Sequence, residues 1–209
     1  MNFPARYKAD IVSAVESIDL EKIVEAIELF KHARARRRNI FVGGGTRSAA
    51  AAARILCDMI TRASFERPAR FRAFALEDRA SEPESQEGTV TSEKVFVEEL
   101  KNFVESGDVV VGISASENAP AILRAFEYAA SIGCKIVAFT GLEGGKWAAF
   151  ANIVIPVGST HFWTVEDTHL IICHMIGSYF LEGERLALGS RPPVTASGSE
   201  IQPSEPWRQ

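Results

Sequence analysis

The sequence has no run of about 18 uncharged apolar residues, so no helix crossing a membrane is expected. Its opening stretch, MNFPARYKAD, lacks an apolar core and already carries charge at Arg6, Lys8 and Asp10, unlike a secretory signal. The expected compartment is therefore the cytoplasm. Cysteine is scarce: Cys57, Cys134 and Cys173 are odd in number, far apart and each inside an apolar stretch. That argues against a disulfide framework or a zinc cluster and for reduced core thiols. An excess of positive charge is missing too. The formal net charge is −4, so no global field draws nucleic acid or an anionic membrane. What the 209 residues do contain, 46% hydrophobic and 24% charged, is enough for one well-buried core.

Residues 10–38 place Ile11, Val15, Ile18, Ile23, Val24, Ile27 and Phe30 mostly at helical spacing, with Asp19 suited to cap a second helix. The run Arg34, Arg36, Arg37, Arg38 reads as cations in a last helical turn, where they offset the helix dipole, rather than as a nucleic-acid patch. Short apolar strands follow at 39–42, 72–76, 108–113, 135–140 and 153–156, separated by helical segments. Pro120 stands where a first-turn proline opens a helix. Residues 77–91 read as a long polar loop, and the stretch from 183 to 209, rich in Pro, Ser and Gly, as a tail. The chain thus divides into a helical segment 1–38, an α/β body 39–182 and the tail 183–209, the first two forming one domain. Apolar strands alternating with helices predict a parallel sheet covered on both faces, with ligands beyond the carboxyl ends of its strands.

Three segments fall there. In the first, Gly43, Gly44 and Gly45 allow close backbone approach, Thr46 and Ser48 offer hydroxyls, and Arg47 offers a fork for phosphate at a helix start. A third fingerprint glycine is missing, which disfavours a dinucleotide cofactor even though Glu77 and Asp78 close the second strand. In the second, Ser114, Ser116 and Asn118 lead from a strand into the Pro120 helix, suiting a shared anion or an N-cap. The third holds Glu166, His169 and His174. The histidines lie five residues apart, about 140° around a helix, and so do not share a face for metal binding. Within Leu170–Ile176, His174 suits a buried core histidine or a general acid–base group tuned by burial.

The glycine/serine turn, the GISASEN turn, the FTGLEGGK strand ending and the histidine-bearing last helix resemble the sugar isomerase (SIS) family, and within it the phosphoheptose isomerases. The resemblance covers about residues 10–182, most specifically 108–145. It implies a three-layer α/β/α sandwich on a five-stranded parallel sheet, with amino-terminal helices used in oligomerisation, and a homodimer or homotetramer with sites partly at subunit interfaces. It further implies phosphate held by Ser48, Ser114 and Ser116 beside Gly44, Gly45, Thr46 and Arg47, and Asp58 and His174 as the acid–base pair. Arg62 and Glu166 match the family's substrate-binding arginine and glutamine. Where some relatives hold zinc, this chain has Arg54, Asp58, Glu166 and His174; an arginine cation cannot ligate zinc, so no metal is expected, and no redox cofactor either. Ala115, Glu117 and Ala119 depart from the family's serine turn.

The leading expectation is an aldose–ketose isomerase of a phosphorylated sugar. The alternative is a non-catalytic module that senses a phosphosugar or binds a protein. The two differ in whether Asp58 and His174 meet at one sugar.

Overall fold

Local capping sets the first boundaries. In the computed structural model, which describes residues 2–65, 67–76, 93–116, 119–142 and 144–184, Asn2 caps helix α1 (Phe3–Glu16) by accepting from Ala5 N at 3.1 Å. Asp19 then caps α2 (Leu20–Ala35), accepting from Glu21 N at 2.9 Å and Lys22 N at 3.2 Å. The first helix therefore begins at Phe3, earlier than the apolar spacing from residue 10 suggests; Phe3 is among the exposed apolar residues, so no burial pattern marks it. The expected loop 77–91, Asn118 and the tail beyond 184 lie outside the described residues.

Five parallel strands follow: β1 (Asn39–Gly44), β2 (Arg72–Leu76), β3 (Val109–Ser114), β4 (Lys135–Thr140) and β5 (Ile153–Pro156). They lie in the order β2-β1-β3-β4-β5, with Gly43 opposite both Leu76 and Gly112, and Ser114 opposite Thr140. Connecting them are α3 (Arg47–Ala63), α4 (Val95–Lys101), α5 (Pro120–Ser131), a 3-10 turn (Lys146–Phe150), and α6 (Phe162–Ser178), which ends in a π turn at Tyr179–Gly183. β3 is buried at every residue, as a central strand covered on both faces must be.

Alternation along each strand sends its side chains into two separate cores. Ile40, Val42, Val111 and Phe139 join α1, α2, α3 and α6 on one face. Phe41, Val110, Ile136 and Ala138 join α4, α5 and Trp147 on the other. The three-layer sandwich expected from the sequence is the one observed. A Cβ on Gly112 would fall 2.7 Å from both Ile122 and Phe126, so glycine lets α5 lie against the middle of β3. At the amino edge, buried Asp108 accepts from Asn39 N at 2.9 Å and Glu105 N at 2.9 Å, fixing the starts of β1 and β3. All three cysteines are free and buried.

The arginine run resolves into separate roles. Arg34 turns inward and donates two bonds to Glu184, at 2.9 and 2.6 Å, while its guanidinium lies 4.8 Å from the Phe71 ring centroid. Arg67 donates to the same carboxylate. Arg38 pairs with Glu105 at 3.5 Å. Burial pushes the Glu184 carboxyl up, but the two arginines outweigh it and hold it below its ordinary value of 4.5. A depressed carboxyl stabilises the fold above about pH 4.5, and that contribution disappears as pH falls through the folded value. Glu184→Gln should therefore cost about 2–3 kcal/mol at pH 7 by leaving two arginines uncompensated. Thermal unfolding from pH 7 down to 3 checks this: the variant should converge on the wild type at the acid end.

Candidate active site

The site begins where β1 turns into α3. A Cβ on Gly44 would sit 2.1 Å from Ala50 N, so the strand end and the helix backbone touch and no side chain fits between them. Gly45 N donates to Ile113 O at 2.9 Å, and a Cβ there would lie 3.1 Å from Ser114 Oγ. The turn is thus stitched to the end of β3, at the point where successive crossovers leave in opposite directions along the sheet, the usual ligand crevice of an open α/β fold. Thr46 caps α3, accepting from Ala49 N at 3.1 Å, and its hydroxyl donates to Glu166, buried on α6. Arg47 and Ser48 stand exposed on the first turn of α3.

Ser114 is fully buried, and its hydroxyl is engaged by its own loop: Oγ accepts from Ser116 N at 3.0 Å and donates to Ser116 O at 3.3 Å. Trp147 Nε1 donates to the same carbonyl at 3.4 Å. Ala119 occupies the N-cap of α5 and offers no side-chain acceptor, so among the described residues no side chain caps the first N–H groups of α5. A pocket of about 150 Å³ opens beside this turn, lined by Ser116, Gly141, Gly144, Gly145, Ser159 and Thr160. It lies beyond the carboxyl ends of β3, β4 and β5.

A second, larger space of about 940 Å³ runs along the outer face of α3. Thr46, Arg47, Arg54, Asp58 and Arg62 line it from α3 and its cap, Phe74 from the edge strand β2, and Phe103 from the segment after α4. Spacings of seven, four and four residues put these charged side chains on one helical face. Among the described residues, none of the four charged side chains has a hydrogen-bonding or ion-pairing partner. Arg54 was legible in the sequence only as a missing metal ligand; its place beside Asp58 follows from the spacing. The aromatic wall was missed because Phe41, Phe74 and Phe103 come from elements whose adjacency only the sheet order gives.

The burial expected for His174 from the apolar run around it is not observed. His169 is buried, 1% exposed, with Nε2 donating to Thr140 O at 3.1 Å, whereas His174 is exposed. Val165, His169, Ile172, Cys173 and Ile176 form the inward face of α6, and His174 falls on the other side of the cylinder. His174 is not among the residues lining the α3 groove. One chain therefore brings Thr46 to Glu166, Gly45 to Ser114, and Asp58 to Arg47, Arg54 and Arg62, but leaves His174 outside that groove. Burial drives the His169 pKa down to about 4, against the opposing effect of the Thr140 bond, so the ring is neutral at pH 7.

The sequence carries a match to the SIS domain over residues 5–141. This chain belongs to the SIS-domain family. It is 33% identical to a probable phosphoheptose isomerase of Thermoplasma volcanium over 145 residues, 68% of this chain and 72% of the relative. A phosphoheptose isomerase of a Geobacter species, strain M21, is 29% identical over 171 residues, 82% of this chain and 88% of that one. The phosphoheptose isomerase structure from Neisseria gonorrhoeae superimposes with a TM-score of 0.73 at 24% identity, covering 84% of this chain and 95% of its own. That from Francisella tularensis gives 0.73 at 20% identity, with 85% and 95% covered. The SIS fold inferred from the motifs is therefore the fold of this chain.

A zinc bound through the positions some SIS isomerases use does not fit here. Arg54, a guanidinium cation, has no lone pair to give, and Glu166 is engaged by Thr46.

Two measurements test this geometry. Gly44→Ala should displace the start of α3 and lower stability by about 3 kcal/mol or more in urea unfolding, because the clash is with backbone. His169 is depressed when folded, so its contribution is present above pH 6.5 and is lost as pH falls toward 4. His169→Gln should flatten that limb of the pH–stability curve while keeping a donor for Thr140.

Proposed function

We propose that this SIS protein is an aldose–ketose isomerase acting on a phosphorylated sugar, of the heptose phosphate class named in its relatives. The observation that carries this reading is the α3 groove, in which a carboxylate, Asp58, shares one face with cations, none of them partnered among the described residues, beside a glycine turn suited to an anion. The phosphate would sit at Gly44, Gly45, Thr46, Arg47 and Ser48, with Ser114, Ser116 and Asn118 from the second turn and the dipole ends of α3 and α5. Arg62 would bind the sugar beyond, and Glu166 would hold the turn through Thr46.

Asp58 would take the proton from the carbon beside the carbonyl. The C–H pair becomes the carbon–carbon double bond and the carbonyl pair moves to oxygen, giving an enediolate. Returning the proton to the former carbonyl carbon, while the hydroxyl proton passes between the two oxygens, yields the isomer without gain or loss of electrons. His174 would serve that second transfer. Since His174 lies outside its own chain's groove, the reading calls for a homodimer or homotetramer in which a second copy supplies it. The protein is read as cytoplasmic; no helix among the described residues is long and apolar enough to cross a membrane.

Proton NMR in deuterated buffer with aldose and ketose phosphates, including sedoheptulose 7-phosphate, tests the reading. Exchange at carbon 1 or 2 is expected, and should fall by about 10²-fold or more in His174→Ala. Sugars that raise the melting temperature without exchanging would instead support the non-catalytic, sensing module.

A further inference from the structure

We infer that Arg54 is the electrophile of this site, the group that holds the oxygen on which negative charge develops during proton transfer. The inference rests on the isomerase reading above. Asp58 as base solves only half of that step: the carbonyl oxygen next to the breaking C–H bond must accept a full charge, and a preorganised donor aimed at it contributes more than any other single device.

Arg54 is placed for that role. It stands one helical turn before Asp58, so the two Cβ atoms are about 5–6 Å apart on the same face. A carbonyl oxygen and the adjacent C–H of one substrate can be reached from those two positions together. Both residues line the same groove, yet no ion pair joins them, although their spacing would permit one. Neither charge is therefore spent on the fold. Arg54 is also exposed and without any partner among the described residues, whereas Arg34 and Arg67 are committed to Glu184. Of the other cations in the groove, Arg47 belongs to the first turn beside the glycines, and Arg62 lies past Asp58 on the side away from them. Only Arg54 falls between the phosphate turn and the base, inside the span of a sugar anchored by its phosphate.

Chemistry favours this residue as well. A guanidinium keeps its charge at any working pH and presents a rigid fork of donors, so it stabilises an oxyanion without exchanging protons with Asp58. The donor set that excludes zinc thus supplies a fixed positive charge of its own.

Deuterium exchange kinetics on the full-length protein test the inference, with Arg54→Ala and Arg54→Lys beside the wild type. Arg54→Ala should lose about 10²-fold in the saturating exchange rate with KM changed less than about threefold. Arg54→Lys should recover part of the loss, since it keeps the charge but not the fork. Calorimetry adds a readout that a structural role would not move. A phosphorylated hydroxamate, which mimics the enediolate, should bind the alanine variant at least tenfold more weakly, while a phosphorylated alditol, which has no carbonyl, should bind both proteins alike. Wild-type exchange should survive a chelator. Exchange in Arg54→Ala at the wild-type rate, equal losses for hydroxamate and alditol, or abolition by chelator would each overturn the role of Arg54 and leave the isomerase reading standing. If the wild type exchanges no sugar phosphate, the isomerase reading itself falls and takes the inference with it.

Discussion

The close approach of Gly44 to the first turn of α3 is the constraint on which the site depends. With Ala50 N only 2.1 Å from where a Cβ would be, the helix can start only by resting on the end of β1. That contact decides where the amino end of α3 points, and hence which of its faces looks outward along the sheet edge. The bond from Gly45 N to Ile113 O and the cap at Thr46 then tie the same turn to β3 and, through Glu166, to α6. Three elements, α3, β3 and α6, are held by one stretch of three residues, Gly44–Thr46. Larger residues at 44 or 45 would move all three.

Polar groups around the turns fall into two sets. Thr46 bonds Glu166, Ser114 bonds Ser116, and His169 bonds the carbonyl of Thr140 through Nε2, and most of these are buried, although His169 Nδ1 and Thr140 Oγ1 find no partner among the described residues. Their bonds hold the loops; buried polar groups left without partners would be costly, so a rigid rim is the favourable state. Arg47, Arg54, Asp58 and Arg62 form the other set, exposed and, among the described residues, unpartnered. The rim fixes where these side chains start from the backbone, while their charged ends, held by no partner among the described residues, are ordered only when something binds them. The exposed set lies wholly on α3, whose opposite face, with Ala49, Ala53, Leu56 and Ile60, is packed in the core.

Much of this was legible in the sequence. The strand positions, the Asp19 cap, the Pro120 helix start and the order of motifs depend on local chemistry, and they stand within a few residues of their expected places. The histidines on the last helix were less legible. An apolar run of seven residues does not say which of its members face the core once the helix is packed on one side only. The phase was available from Val165, Ile172 and Ile176, which place His169 inward and His174 outward, but the run around His174 concealed it. The aromatic wall of the groove could not be read at all, since it needs the neighbour relation between β1 and β2.

The arginine run shows the same limit from another direction. Four cations near a helix end have a sufficient local explanation in the helix dipole, and that explanation holds for the segment as a whole. It does not predict that Arg34 would fold back over Phe71 and clasp a carboxylate from the far end of the chain. Glu184 joins α2, the segment after α3 and the end of α6 on the same face of the sheet. The arginines of α3 differ from Arg34 in one respect: no carboxylate from elsewhere in the described chain pairs with them. Residue type alone is the same in both groups. The difference lies in whether the fold has already supplied the counter-charge: for Arg34 it has, and for the α3 arginines, among the described residues, it has not.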